Sequence, residues 1–282
     1  MMEPNAFKPI ARTAEQIREQ YEIETGLARR LLASAPDERQ AMYSSVYDEL
    51  FRRVPSHPQL RKQTMPEARQ AEIGPMAAVL TPMLSPARTY MEIGAGDCAL
   101  ARRLAPSAGR VYAVDVSAEV MPAGAMPANL ELVVGDGRSI PVGSESVDLA
   151  FSNQLLEHLH PDDLQLHLRE VRRTLKPGGR YFIVTPNRLT GPHDISRHFD
   201  EVARGLHLRE YRIADLVAAG REAGYARSSL LAIRRGRGYR LPLGAALLME
   251  GALEAMPRRA ARRLLSIPRV PALLGINIIL TR

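Results

Sequence analysis

Tyr90-Met91-Glu92-Ile93-Gly94-Ala95-Gly96-Asp97-Cys98-Ala99-Leu100 reads as a short strand, a glycine turn and the start of a helix. Glycines at 94 and 96 tolerate dihedrals closed to other residues and remove the β-carbons that would hold a ligand off the backbone. The helix that follows offers unpaired N–H groups in its first turn. The pattern departs from the dinucleotide fingerprint, because Ala99 stands where a third glycine is usual. Glu92 departs further. A carboxylate inside the first strand repels a pyrophosphate, but it can pair with a cation or hold the turn by hydrogen bonds. The segment therefore favours a nucleoside-like ligand carrying positive charge.

Four further apolar runs follow, and the next three end in polar groups. Arg110-Val111-Tyr112-Ala113-Val114-Asp115 ends in an acid about twenty residues beyond the glycines, where a carboxylate can accept both hydroxyls of a ribose. Leu130-Glu131-Leu132-Val133-Val134 is closed by Gly135-Asp136-Gly137, and Asp136 can accept from an exocyclic amine. Val147-Asp148-Leu149-Ala150-Phe151 leads into Ser152-Asn153, and Arg180-Tyr181-Phe182-Ile183-Val184-Thr185 is entered through the turn Lys176-Pro177-Gly178-Gly179. Strand runs alternating with helix-length segments predict a parallel sheet with helices on both faces, whose ligands bind beyond the carboxyl ends of the strands.

Residues 88–187 resemble a class I S-adenosylmethionine-dependent methyltransferase of the subgroup acting on small molecules. The resemblance rests on Glu92-Ile93-Gly94-Ala95-Gly96, Asp115, Gly135-Asp136, Ser152-Asn153-Gln154-Leu155-Leu156-Glu157-His158-Leu159 and Leu175-Lys176-Pro177-Gly178-Gly179. It implies an α/β, Rossmann-like, seven-stranded and mostly parallel sheet. It also implies S-adenosylmethionine as cofactor, held by Glu92, Gly94, Ala95, Gly96, Asp115, Val116, Asp136, Gly137 and Asn153. Gly94 and Gly96 would line the amino-acid part, Asp115 the ribose, Asp136 the adenine and Asn153 the methionine portion. Cys98 departs from the family, many of whose members carry glycine there. Its place near a helix start raises the alternative of a reactive thiol against that of a small residue filling a corner.

Around this core, residues 1–85 are helical in pattern and form an expected cap; 86–235 form the core; 236–282 hold a helical insertion at 241–274 and the last strand. Thr13-Ala14-Glu15-Gln16 is a capped helix start. A second helix is expected from Pro36 to about Arg52 and a third from Glu67 to about Met83. Tyr43 and Tyr47 share one face of the second. Strands are expected at 228–235 and 275–281, the last of them antiparallel. The connection after Thr185 carries three of the chain's seven histidines, and His193 and His198 are the candidate general bases for an acceptor hydroxyl. His158, after the fourth strand, is a third candidate. His193, Asp194 and His198 are acceptable metal ligand types without a strong spacing, and no metal is expected.

A single cysteine rules out an internal disulfide and fits a reducing compartment. No secretory signal and no spanning segment is expected, which points to the cytoplasm. The net charge of +7 invites a nucleic-acid reading, but the arginines are scattered and there is no tryptophan for base stacking. The family's mark for methylating base amino groups is also absent, the fourth strand ending Phe151-Ser152-Asn153-Gln154. The expected partner is a small-molecule methyl acceptor. The apolar and basic stretch at 241–265 suggests a lid or a homodimer contact ahead of a peripheral membrane contact. The alternatives to a small-molecule enzyme are a non-catalytic cofactor-binding scaffold and an RNA or protein methyltransferase.

Overall fold

Apolar residues that alternate faces along the inner strands build the sheet. The computed structural model describes residues 12–58, 60, 66–116, 125–267 and 269–282, so the amino-terminal Met1–Asn5 segment lies outside it. The strands are β1 (Thr89–Ile93), β2 (Arg110–Asp115), β3 (Leu130–Val134), β4 (Val147–Asn153), β5 (Leu175–Thr185), β6 (Arg227–Arg234), β7 (Arg237–Leu241) and β8 (Ile276–Thr281). Their order in one sheet is β3-β2-β1-β4-β5-β8-β6-β7. The first five pair in parallel, and β8 runs antiparallel to both β5 and β6. Met91, Tyr112, Tyr181 and Ile183 face one core layer, while Tyr90, Phe151 and Phe182 face the other.

Among the described residues the sheet has eight strands where seven are expected. The addition is β7, an edge strand joined to β6 by the two-residue turn Arg235-Gly236, with φ of +51° and +72°. Both values suit a primed hairpin turn. The sequence Arg-Gly-Tyr-Arg lacks a buried face, since all four residues are exposed, so no periodicity announces it. Leu241 consequently ends a strand rather than opening the insertion.

The helices are α1 (Ala14–Leu32), α2 (Pro36–Arg53), α3 (Pro66–Leu80), α4 (Ala99–Leu104), α5 (Leu164–Thr174), α6 (Ile213–Glu222), α7 (Leu243–Ala255), α8 (Arg258–Leu265) and α9 (Arg269–Leu274). Thr13 and Gln16 cap α1 reciprocally. Ile23, Leu27, Val46 and Leu50 of α1 and α2 pack together with Leu206. Tyr43 of α2 pins the pair to the core: its hydroxyl donates to Asp163 (2.8 Å) and accepts from the His160 backbone N–H (2.8 Å). No helix among the described residues is long and apolar enough to cross a membrane.

Candidate active site

The turn after β1 is fixed by its backbone. Gly94 and Ala95 donate to the Val114 carbonyl at 2.9 and 3.1 Å, and the Gly96 N–H donates to Asp115 Oδ2 at 2.8 Å. Gly94 (φ +72°) and Gly96 (φ +51°) lie in the left-handed region. Gly96 has open space where a side chain would begin, so a ligand can reach its backbone. Cys98 follows at φ +53° as the cap of α4, which accounts for glycine being common there in the resembling family. It is fully buried, and burial followed by the charge of Glu92 pushes its thiol up to about 12. The small-residue reading holds and the reactive-thiol reading fails.

Three carboxylates surround this turn. Asp97 is clamped by Arg69 of α3, Nε to Oδ2 at 2.7 Å and Nη2 to Oδ1 at 2.8 Å. Asp115 is spent partly on Gly96. Glu92 is buried beneath them, and its Oε2 has no hydrogen-bond partner among the described residues. Burial first, and then the charge of Asp97, pushes the Glu92 carboxyl up to about 8.

The strand register lines up the other predicted contacts. Ile93 sits opposite both Val114 and Ser152, and Asp115 sits opposite Val134. Gly94, Asp115, Asp136 and Asn153 thus form a row along the carboxyl edge of four neighbouring strands. Val116 follows Asp115, half-buried against the core, and Asn153 is exposed. Asp136 is occupied: Oδ1 accepts from the Arg138 and Ser139 N–H groups, and Oδ2 from the Ser139 hydroxyl (2.8 Å) and Gln40 of α2 (3.2 Å). Gly137 (φ +78°) lies so close to the Tyr43 ring that a β-carbon would come within 2.7 Å of it. Asp136 and Gly137 are therefore also where α2 meets the core.

An open cleft of about 1370 Å³ adjoins this row, beyond β5 and beneath α7, α8 and α9. Gln154, Thr185, Asn187, His193, Glu254 and Arg262 line parts of it. The insertion is held there by one buried acid. Glu250 accepts from Asn187 Nδ2 (2.9 Å) and from the Ile213 and Ala214 N–H groups at the start of α6. Arg258 and Arg262 of α8 pair with Glu201 across the cleft. The stretch 241–265 is thus edge strand at its first residue, and its second half, from Leu253 to Leu265, contributes to the cleft wall.

The three histidine candidates do not converge. His193 is exposed on the cleft. The Thr190 hydroxyl donates to the Asn187 carbonyl, so His193 Nε2, 2.9 Å from Thr190 Oγ1, carries its proton, and Nδ1 keeps the lone pair. Glu210 fixes the His193 backbone N–H at 2.7 Å. His198 is outside the cleft and accepts from its neighbour Arg197 at 3.2 Å. His158 is packed between Tyr47 and His207, and burial followed by the charge of His207 pulls it down to about 4. Asp194, weighed with His193 and His198 as a metal ligand, instead accepts from the Ser196 and Gly205 N–H groups. Arg69, Glu210 and Glu250 carried no sequence signal beyond the isolated acid of Glu250 in an apolar helix.

Comparison with known proteins places this geometry. Residues 91–183 match the model of a methyltransferase domain. A Mycolicibacterium smegmatis protein described as a probable S-adenosylmethionine-dependent methyltransferase is 30% identical over 152 residues, 54% of this chain and 57% of its own length. The demethylmenaquinone methyltransferase of Corynebacterium efficiens is 34% identical over 97 residues, 34% of this chain and 41% of its own. The chain thus spans about half the length of these curated relatives. Among solved structures, a chain of the complex between the Haloferax volcanii Trm112 methyltransferase activator and a methyltransferase shares the fold. It has a TM-score of 0.50 and 22% identity, covering 78% of this chain and 91% of that one.

Proposed function

We propose that this chain, whose residues 91–183 are a class I S-adenosylmethionine-dependent methyltransferase domain, transfers a methyl group from S-adenosylmethionine to a small-molecule acceptor bound in the cleft beside β5. One observation carries the reading. The buried Glu92 carboxylate has an orphaned oxygen beneath a glycine turn whose Gly96 side is open. A buried unpaired carboxylate is costly and calls for a cation. The Asp115 carboxylate, with a Glu92 carboxyl that burial leaves short of a partner, fits a cofactor carrying an ammonium and a sulfonium better than one carrying phosphates.

When bound, the cofactor would supply a sulfonium methyl carbon open to in-line attack by the acceptor, with the thioether as leaving group and no covalent enzyme intermediate. The chain's own residues bind, orient and deprotonate. Gly94, Ala95 and Gly96 offer backbone to the amino-acid portion. Asp115, anchored by the Gly96 N–H, would hold the ribose hydroxyls. Val116, Asp136 and Gly137 would wall the adenine and Asn153 the methionine chain. Holding donor and acceptor in register supplies much of the acceleration. His193, with its lone pair on Nδ1, would take the proton of an acceptor hydroxyl. The cleft exceeds the usual ~300–1,000 Å³ of small-ligand sites, and its wall mixes arginines with Leu253, Met256 and Leu265, which suits an extended acceptor with polar and apolar parts.

The test is incubation with methyl-labelled cofactor and a metabolite extract. Label in the small-molecule fraction, absent with the His193→Ala protein, is expected. Label confined to protein or RNA would overturn the acceptor class.

A further inference from the structure

Two segments outside the proposed methyl-transfer chemistry meet behind the ends of β4 and β5: the single turn Leu156–His158 and the stretch 205–210. Glu157 is fully buried there. Its Oε2 accepts from the Thr185 hydroxyl at 2.8 Å, and its Oε1 is buried with no partner among the described residues. His158 Nδ1 lies 2.8 Å from the Leu206 carbonyl. A carbonyl only accepts, so Nδ1 carries the proton and Nε2 presents its lone pair. His207 Nδ1 donates to Glu210 Oε1 at 2.8 Å, so in the neutral ring it is Nε2 of His207 that carries the lone pair. Glu157, His158 and His207 each offer a ligand atom, and these atoms all lie within 4.8 Å of one another.

No hydrogen bond joins the two imidazole Nε2 atoms and the buried Glu157 Oε1 to one another. A cation satisfies all three. The outer shell is also that of a metal centre. Each histidine's second nitrogen is tied to an oxygen acceptor, a backbone carbonyl for His158 and a carboxylate for His207, which fixes ring orientation and raises ligand basicity. Two histidines and one carboxylate are a donor set for zinc and its first-row neighbours, with a fourth position open. Ligand atoms around a tetrahedral zinc stand roughly 3.4 Å apart, as bonds near 2.1 Å require. The three side chains therefore need to close by about an ångström.

We propose that Glu157, His158 and His207 bind one divalent transition-metal ion of the zinc type, with Glu210 as the positioning residue for His207. The ion ties the end of β4 to the connection after β5. Glu210 bonds both His207 and the His193 backbone, so the ion also steadies the cleft wall. The site does not depend on the methyl-transfer reading, and its test does not read activity.

Chelator-stripped protein is titrated with Zn²⁺ in competition with a chromophoric chelator, and separately with Co²⁺ followed by visible absorption. One ion per chain is expected, with a dissociation constant below about 1 μM. His207→Gln or Glu157→Gln should weaken it by about 100-fold or more, and Glu210→Gln by about tenfold to 100-fold. His198→Ala should leave it unchanged. Absence of binding, or binding that His207→Gln does not move, overturns the proposal. If that variant does not fold, X-ray absorption of the zinc-loaded native protein decides: two imidazoles in the metal's coordination shell support the site, and none overturns it.

Discussion

Glutamine at position 92 keeps the shape of the glutamate and removes its charge, so Glu92→Gln isolates what ionising this carboxyl does. Glu92 is 7% exposed, one oxygen is unpartnered, and burial with the Asp97 charge holds its folded pKa up at about 8. The unfolded chain ionises it near the ordinary value of about 4.3. Because the folded pKa is the higher, this group's contribution is fully present below the unfolded value. It is lost as pH rises through the window up to about 8, and it changes no further above that. Every tenfold weakening of the acid in the fold is worth about 1.4 kcal/mol, so the native protein loses roughly 3–5 kcal/mol across the window on this account. Urea unfolding of both proteins between pH 5 and 9 measures the difference. The variant should match the native protein near pH 5 and exceed it by about 3 kcal/mol or more at pH 8.5. Affinity for S-adenosylmethionine at pH 8.5 should move the other way, falling about tenfold as one buried countercharge is lost. Stability curves that stay parallel across pH would refute the reasoning, because they would mean that Glu92 ionises in the fold as easily as in water.

Three further outcomes follow from individual contacts. Gly191→Ala drives a β-carbon into Glu210 Oε2, so the carboxylate that holds the His193 backbone must move. Turnover should fall at least tenfold with cofactor affinity unchanged, as separate kinetic and binding titrations would read. His193→Ala should lower turnover by about 100-fold for a hydroxyl acceptor, and a native rate across the pH range would remove it as the base. Tyr43→Phe strips the hydroxyl shared by Asp163 and the His160 N–H, both buried, and should cost about 1–3 kcal/mol in denaturant unfolding.

The parallel half of the sheet was legible because each strand is an apolar run closed by a turn, and because the acids and glycines fall at the same end of each. Asp115 and Gly96 show how far that reached: their spacing predicted neighbouring strand ends, and the structure joins them by a hydrogen bond. Strand β7 was illegible, since an exposed edge strand of Arg, Gly and Tyr carries no alternation. The contacts that finish the site were illegible for another reason. Arg69 with Asp97, Glu250 with Ile213, and Glu157 with His207 each join residues distant in sequence, and pairing of that kind leaves no local pattern. The histidines mislead in the same way. Their clustering in one connection made His193 and His198 the candidate bases, whereas backbone turns send His193 to the cleft, His198 outward and His207 into the interior.

Calorimetric titration with S-adenosylmethionine and with its demethylated product, on the native protein and on Asp115→Ala, tests the central claim most directly. The account predicts one site of micromolar affinity for each ligand, weakened at least tenfold when the Asp115 carboxylate is removed. Absence of binding to either ligand, or equal affinity in the two proteins, would contradict a cofactor seated at the Gly94–Gly96 turn.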